Sequence, residues 1–121
     1  MTDYRLSRAM RLSTQFEFAR VYDQRNRVGD RHLLVFAAQN ELDLTRFGLS
    51  VSKKHGMAVR RTKLKRLLRE AFRLSQHELP RGLDLVLIPR QQSRACLEDY
   101  RKSLTRASWR LAKRLGIVDE R

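Results

Sequence analysis

Residues 48–54 read GLSVSKK, and residues 58–70 read AVRRTKLKRLLRE. With the residue before the first segment included, Phe47, Leu49 and Val51 alternate with Gly48, Ser50 and Ser52, the period of a strand with one small-residue face. That strand is expected over Arg46 to Lys53. In the second segment the period lengthens: Leu64, Leu67, Leu68, Ala71, Phe72 and Leu74 cover roughly 160° of a helix expected over Met57 to His77. Its opposite side carries Lys65, Arg66, Arg69 and Arg73. A strand that turns through two lysines into a long basic helix is therefore the unit around which the other elements are placed.

Upstream, Thr14 to Asp23 sets Phe18 and Tyr22 four apart with Val21 beside them, the mark of a short amphipathic helix capped by Ser13 or Thr14. After the polar stretch Gln24 to Arg31, His32 to Gln39 holds six consecutive apolar residues and reads as a strand covered on both faces. Gln24 to Val28 is the place for a further edge strand. An acidic turn, Asn40 to Asp43, leads back to Arg46. Downstream, Pro80 and Gly82 end the basic helix, Leu83 to Ile88 reads as a central strand, and Cys96 to Leu115 returns to helical spacing. The order α-β-β-β-α-β-α predicts an α+β fold, a sandwich of three helices and a small four-stranded sheet.

The 121 residues fit a single domain, 1–121, with a basic N-terminal tail at about residues 1–10. Its 27 Lys and Arg against 13 Asp and Glu leave a net charge of +14, which calls for a polyanionic partner, with nucleic acid first among the candidates. No stretch approaches the roughly 20 apolar residues of a spanning helix, and Met1 to Met10 has no signal-peptide core, so no membrane role and a cytoplasmic location are expected. Cys96 stands alone and is expected as a small buried hydrophobe. His32, His55 and His77 lack the local spacing of zinc ligands and are expected as ordinary surface or core histidines.

Between Arg60 and Arg73 seven of fourteen residues are basic and only Glu70 is acidic, a like-charge density that favours phosphate binding over a merely solvated face. Phe18, Tyr22 and Phe36 fit a core by periodicity. Periodicity favours that core reading, and the functional alternative is the wall of a groove in which single-stranded bases lie against apolar surface. Apart from Glu98–Asp99 and Asp119–Glu120 the acids are scattered, so neither a catalytic residue nor a metal site is expected. A ribosomal or RNA-chaperone protein would share the charge, and a DNA-binding regulator would share the basic helix, though the two-helix pattern of a helix-turn-helix is missing.

The joined GLSVSKK turn and AVRRTKLKRLLRE helix closely resemble the signature of the bacterial ribonuclease P protein family. The resemblance continues through Arg11-Leu12, Phe18, Arg31, Phe36, Leu79-Pro80 and the strand from Asp84 to Ile88, and covers roughly residues 11 to 115. One departure is Arg61-Thr62-Lys63, where the family has Arg-Asn-Arg, so the bidentate geometry of a guanidinium is lost at Lys63. The resemblance implies a four-stranded sheet between three helices, with a left-handed β-α-β crossover. It implies that Lys53, Lys54, Arg60, Arg61, Thr62, Lys63, Lys65, Arg66 and Arg69 face the ribonuclease P catalytic RNA. Phe18, Tyr22, Phe36, Arg11, Ser50 and Ser52 would border a groove for the 5′ leader of precursor tRNA. Cleavage would fall to magnesium bound mainly by the RNA, with the protein as accessory subunit and with no obligate protein partner.

Overall fold

Thr14 closes a capping box: its hydroxyl accepts from the Glu17 N–H, and the Glu17 carboxylate accepts from the Thr14 N–H, 3.1 Å each. That box starts α1 (Gln15–Asp23) in a computed structural model that describes residues 3–117. Residues 1–2 and 118–121, with Asp119 and Glu120, lie outside the described residues. After α1 come β1 (Asn26–Gly29), β2 (Leu33–Gln39), β3 (Arg46–Leu49), α2 (Ala58–Ser75), β4 (Leu83–Pro89) and α3 (Leu97–Arg114). The expected α+β order is therefore present, with the edge strand β1 falling two residues later than its weak pattern suggested.

The sheet order is β1-β2-β4-β3. β1 pairs antiparallel with β2 and β2 antiparallel with β4, whereas β3 runs parallel to β4. A parallel pair needs a long crossover, and α2 supplies it. Alternation along the strands divides the side chains between two faces. Leu33, Val35, Ala37, Leu85, Leu87 and Phe47 point to the layer of α2 and α3, where Phe47 stacks on Phe72 at 4.2 Å. The other face packs Ala38 and Val86 against Leu12 and Val21 beneath α1. Each Val, Leu or Phe side chain fully enclosed in the larger layer stabilises the fold by about 1.5–3 kcal/mol, which makes that layer the main core.

Further placements differ from the sequence expectation. β3 stops at Leu49, four residues early, because the Ser50 N–H still reaches Leu87 O (3.0 Å) but Ser52 then caps a 3-10 turn, Lys53–His55. Helix α2 ends at Ser75, and its expected last residues form a separate 3-10 turn, Gln76–Glu78. Cys96 is exposed and caps α3, its N–H donating to the Asp99 carboxylate at 2.9 Å, so it is not the buried hydrophobe expected. β2 is covered on both faces only in part: Leu34 and Phe36 stay half-buried because α1 is too short to reach over them.

One polar cluster interrupts the apolar packing. Asp84, near the start of the inner strand β4, is fully enclosed and takes two bonds from Arg46, Nε to Oδ1 at 2.8 Å and Nη2 to Oδ2 at 2.6 Å. Asn40 donates to the same carboxylate at 2.8 Å, and Arg20 of α1 also pairs with it. Arg46 reaches on to Glu17 at 3.1 Å, so the network ends in the capping box of α1. Burial pushes the Asp84 carboxyl upward, but the bonds from Arg46, Asn40 and Arg20 outweigh it and hold it below the usual carboxylate range. A lowered carboxyl stabilises the fold above its unfolded value of about 3.9 and loses that contribution as pH falls through the folded value. Asp84→Asn should cost about 3 kcal/mol at neutral pH, because Arg20 loses its counter-charge and Arg46 keeps only Glu17. The gap between the urea midpoints of the two proteins should narrow as pH is lowered from 7 to 3, and a constant gap would remove Asp84 from this role.

Candidate RNA interface

The basic site is built on a pinned turn. His55 is buried, its Nδ1 accepts from the Ser52 N–H at 3.0 Å, and its Nε2 donates to Pro89 O at 2.7 Å. The ring therefore fastens the 3-10 turn to the end of β4 while Lys53 and Lys54 stay exposed. Gly56 follows at φ +114°, a backbone shape that favours glycine, and redirects the chain into α2. His55, read from sequence as an ordinary histidine, is thus a core residue that holds two candidate RNA contacts in place.

Along α2 the first turns carry no acid. Thr62, Lys63, Lys65 and Arg66 are exposed, and a helix N-terminus already favours negative charge. Arg61 is half-buried, its Nε is enclosed without a hydrogen-bond acceptor, and among the described residues no carboxylate lies within ion-pair distance. Arg69 gives its Nε to Lys65 O at 3.3 Å and leaves the rest of its guanidinium free of ion pairs. Arg73 ends the row by pairing with Glu70 at 2.8 Å, which lowers the Glu70 carboxyl. Met57 and Val59 stand 83% and 84% exposed beside these cations. A shallow depression of about 490 Å³ runs between Val59, Thr62, Lys63 and Arg66.

Arg60 departs from its expected place on this row. Its Nε donates to His55 O at 3.0 Å and its Nη2 to Gln91 O and Ser93 O at 3.2 and 3.1 Å. The side chain braces the turn against the loop after β4, so its binding capacity is largely spent inside the protein.

The aromatic residues lie on the other sheet face. Phe18, Tyr22 and Phe36 are half-buried, and Tyr22 meets Phe36 edge-to-face at 5.0 Å and 82°. Phe18 rests on the backbone of Gly48, where an added Cβ would come within 2.5 Å of its ring. Arg27, Phe36, Val86 and Gly48 are cross-strand partners in one row, and the Arg27 guanidinium stands 6.0 Å over the Phe36 ring. In the next row Leu34 faces Ile88, both half-buried, so the trough continues past the aromatics. The trio therefore has one side on a small apolar cluster and one side open, between the core and groove readings but with its rings available.

The structure separates the remaining expected groove residues. Ser50 is half-buried near the end of β3, and the exposed Ser52 uses its hydroxyl to accept from the Lys54 N–H at 3.3 Å. Arg11 does not join the aromatics. It bridges to Phe47, and its guanidinium lies 6.0 Å over the Phe47 ring, on the α2 side of the sheet. Arg27, Leu34 and Ile88 were missed because nothing in the one-dimensional pattern pairs strands that are far apart in the chain. Asp84 did leave a signal, a lone acid inside Leu83-Asp84-Leu85-Val86-Leu87-Ile88. Among the described residues no group of three His, Cys, Asp or Glu is placed to hold a metal ion.

The model of the Ribonuclease P family matches residues 6–115. The ribonuclease P protein component of Oleidesulfovibrio alaskensis is 42% identical over 89 residues, 72% of this chain and 71% of the relative. That of Aliivibrio salmonicida is 37% identical over 112 residues, 92% of this chain and 96% of the relative. Among solved structures, the Staphylococcus aureus RNase P protein superposes with TM-score 0.73 at 33% identity, covering 88% of this chain and 97% of that one. The RNase P protein of Thermotoga maritima gives TM-score 0.72 at 32% identity, covering 86% and 96%. Since the likeness runs through both the sheet and the basic helix rather than through the motif alone, the chain belongs to the family of ribonuclease P protein components.

Proposed function

We propose that this protein docks on the catalytic RNA of ribonuclease P through α2 and Lys53–Lys54, and holds the single-stranded 5′ leader of precursor tRNA in the aromatic trough. The observation that carries this reading is the division of labour between the two sheet faces. The unneutralised cations of α2 belong to one layer, and the open rings of Phe18, Tyr22 and Phe36 belong to the other, so two RNAs can be engaged at once. Stacking suits a single strand because every base offers a π face, and Arg27 beside Phe36 supplies a cation for the adjoining backbone.

On the basic side, Thr62 offers a hydroxyl and Lys63, Lys65 and Arg66 open charges, while Arg61 adds the charge of a half-buried guanidinium whose Nε is enclosed. Phosphates held there release counterions, which drives binding and makes it salt-dependent. In this reading the protein lowers the repulsion between catalytic RNA and substrate and aligns the leader, while hydrolysis belongs to the RNA. Magnesium ions bound mainly by that RNA supply the Lewis-acid chemistry. The protein does this work in the cytoplasm as an accessory subunit.

Reconstitution tests the reading directly: added to a bacterial ribonuclease P RNA at low magnesium, the protein should stimulate 5′ maturation of precursor tRNA. Absence of stimulation would overturn it. The protein alone, with magnesium and precursor, should produce no mature 5′ ends.

Arg61→Ala, Arg66→Ala and Arg69→Ala combined should flatten the plot of log affinity for the catalytic RNA against log salt by roughly two to three units, one phosphate contact each. An unchanged slope, with the helix intact by circular dichroism, would leave the row merely solvated.

Phe18→Ala should retain most of the stability, well short of the about 3–5 kcal/mol for a fully buried Phe, because its ring is only half-buried. In the holoenzyme it should weaken precursor tRNA by about 1–3 kcal/mol, one stacked base, and spare mature tRNA. Equal losses for both RNAs would exclude a leader-specific role.

A further inference from the structure

The charge of this protein is not exhausted by α2. On α3 the residues Lys102, Arg106, Arg110 and Lys113 recur at intervals of four, four and three, all exposed, forming one row on the side turned away from the sheet. The row is about 16 Å long at 1.5 Å per residue. From Tyr100 to Ile117 there is no acidic residue. Arg106 is the one member within ion-pair distance of a described carboxylate, Asp30 at 3.7 Å, and it remains 63% exposed. Arg101, one residue before the row, shows the contrast: it is balanced by Glu98 and Glu78 and bonded to Ser75, and so belongs to the packing between the helices.

The row is also rigid. Arg114 donates to Arg27 O at 2.9 Å and Trp109 to Glu78 O at 2.8 Å, so the second half of α3 is fastened at both β1 and the 3-10 turn after α2. Both helices pack on the same sheet face, away from the aromatic trough, so their outward sides look in one direction. A fixed line of cations without exposed aromatics lacks what a single strand requires, and suits the backbone of a helical RNA segment, which is recognised by shape and phosphate position.

We propose that Lys102, Arg106, Arg110 and Lys113 form a second docking row for the catalytic RNA, gripping the phosphate backbone of a helical segment distinct from the one met by α2. The assignment rests on the α2 reading above for the identity of the RNA, because both rows face the same side. It makes the protein a two-point clamp: α2 and the Lys53–Lys54 turn hold one part of the RNA, and α3 holds another.

The test replaces all four residues by Ala, which preserves helix propensity on a solvent-facing side. Binding to the catalytic RNA is measured between 50 and 200 mM salt, beside the α2 triple variant, and hydroxyl-radical footprints are taken on both complexes. Removing four phosphate contacts should lower the slope by about three units, so the loss of affinity over this fourfold salt range becomes about 60-fold smaller. One protected helical segment should disappear from the footprint while the α2 footprint remains. Retention of the slope by the α3 variant, with loss in the α2 variant, overturns the second row and leaves the first reading intact. The converse result supports the row and removes the α2 assignment. A smaller slope with an unchanged footprint marks a general charge effect and overturns the proposal. Weakened precursor binding by the assembled holoenzyme, with catalytic-RNA binding unchanged, also overturns it, since the partner would then be the precursor.

Discussion

An enclosed carboxylate must be neutralised where it stands, and at Asp84 two guanidinium groups and one amide reach it from three separate parts of the chain. Arg46 reaches it from the edge strand β3, Arg20 from α1 and Asn40 from the turn after β2. The alternative, an unpaired charge in a low-dielectric interior, costs several kcal/mol, so the pairing is restrictive about position. It anchors the flank of α1 next to Arg20 at the acid end of the sheet row, and the capping box at Glu17 ties the start of the same helix to Arg46. α1 is only 9 residues long, and these contacts decide which part of the sheet it covers.

What α1 leaves uncovered is the trough. Val21 enters the small cluster with Leu12, Ala38 and Val86, whereas Phe18 and Tyr22, on the adjacent side of the helix, remain at the boundary with Phe36. Gly48 lets Phe18 sit directly on the backbone of β3, which keeps the trough shallow and its rings open. The trough is therefore a consequence of a short helix held at one end of a wider sheet.

The opposite layer solves a different problem. Packing α2 requires its apolar side to meet Phe47, Leu85 and Leu87, and that leaves its cations outward or at the flank with few acids to oppose them. His55 and Arg60 absorb hydrogen-bond capacity into the turn, giving Lys53 and Lys54 a firm base. Excess like charge destabilises a free protein and is relieved by a polyanion, so the arrangement stores affinity for its partner. The same reasoning extends to α3, whose outer row lies in the same layer.

The sequence alone determined the elements and the partner class, because hydrophobic period and charge density are local properties. Phe47, Leu49 and Val51 against Gly48, Ser50 and Ser52 announced a strand, Leu64 to Leu74 a helix, and the basic run from Arg60 an anionic ligand. The joined motif then pointed to the family. Tertiary structure decided the rest, for reasons that depend on distance in space. Ser52 turned the end of the expected strand into a cap, Arg60 was drawn into the carbonyls of Gln91 and Ser93, and Arg11 was laid over Phe47 instead of beside Phe18. Whether Phe18, Tyr22 and Phe36 were core or groove could not be read from spacing, since periodicity reports which side of a helix or strand is apolar and not how far a neighbouring element extends over it. The bonds to Asp84, from residues 38, 44 and 64 positions away along the chain, set that extent.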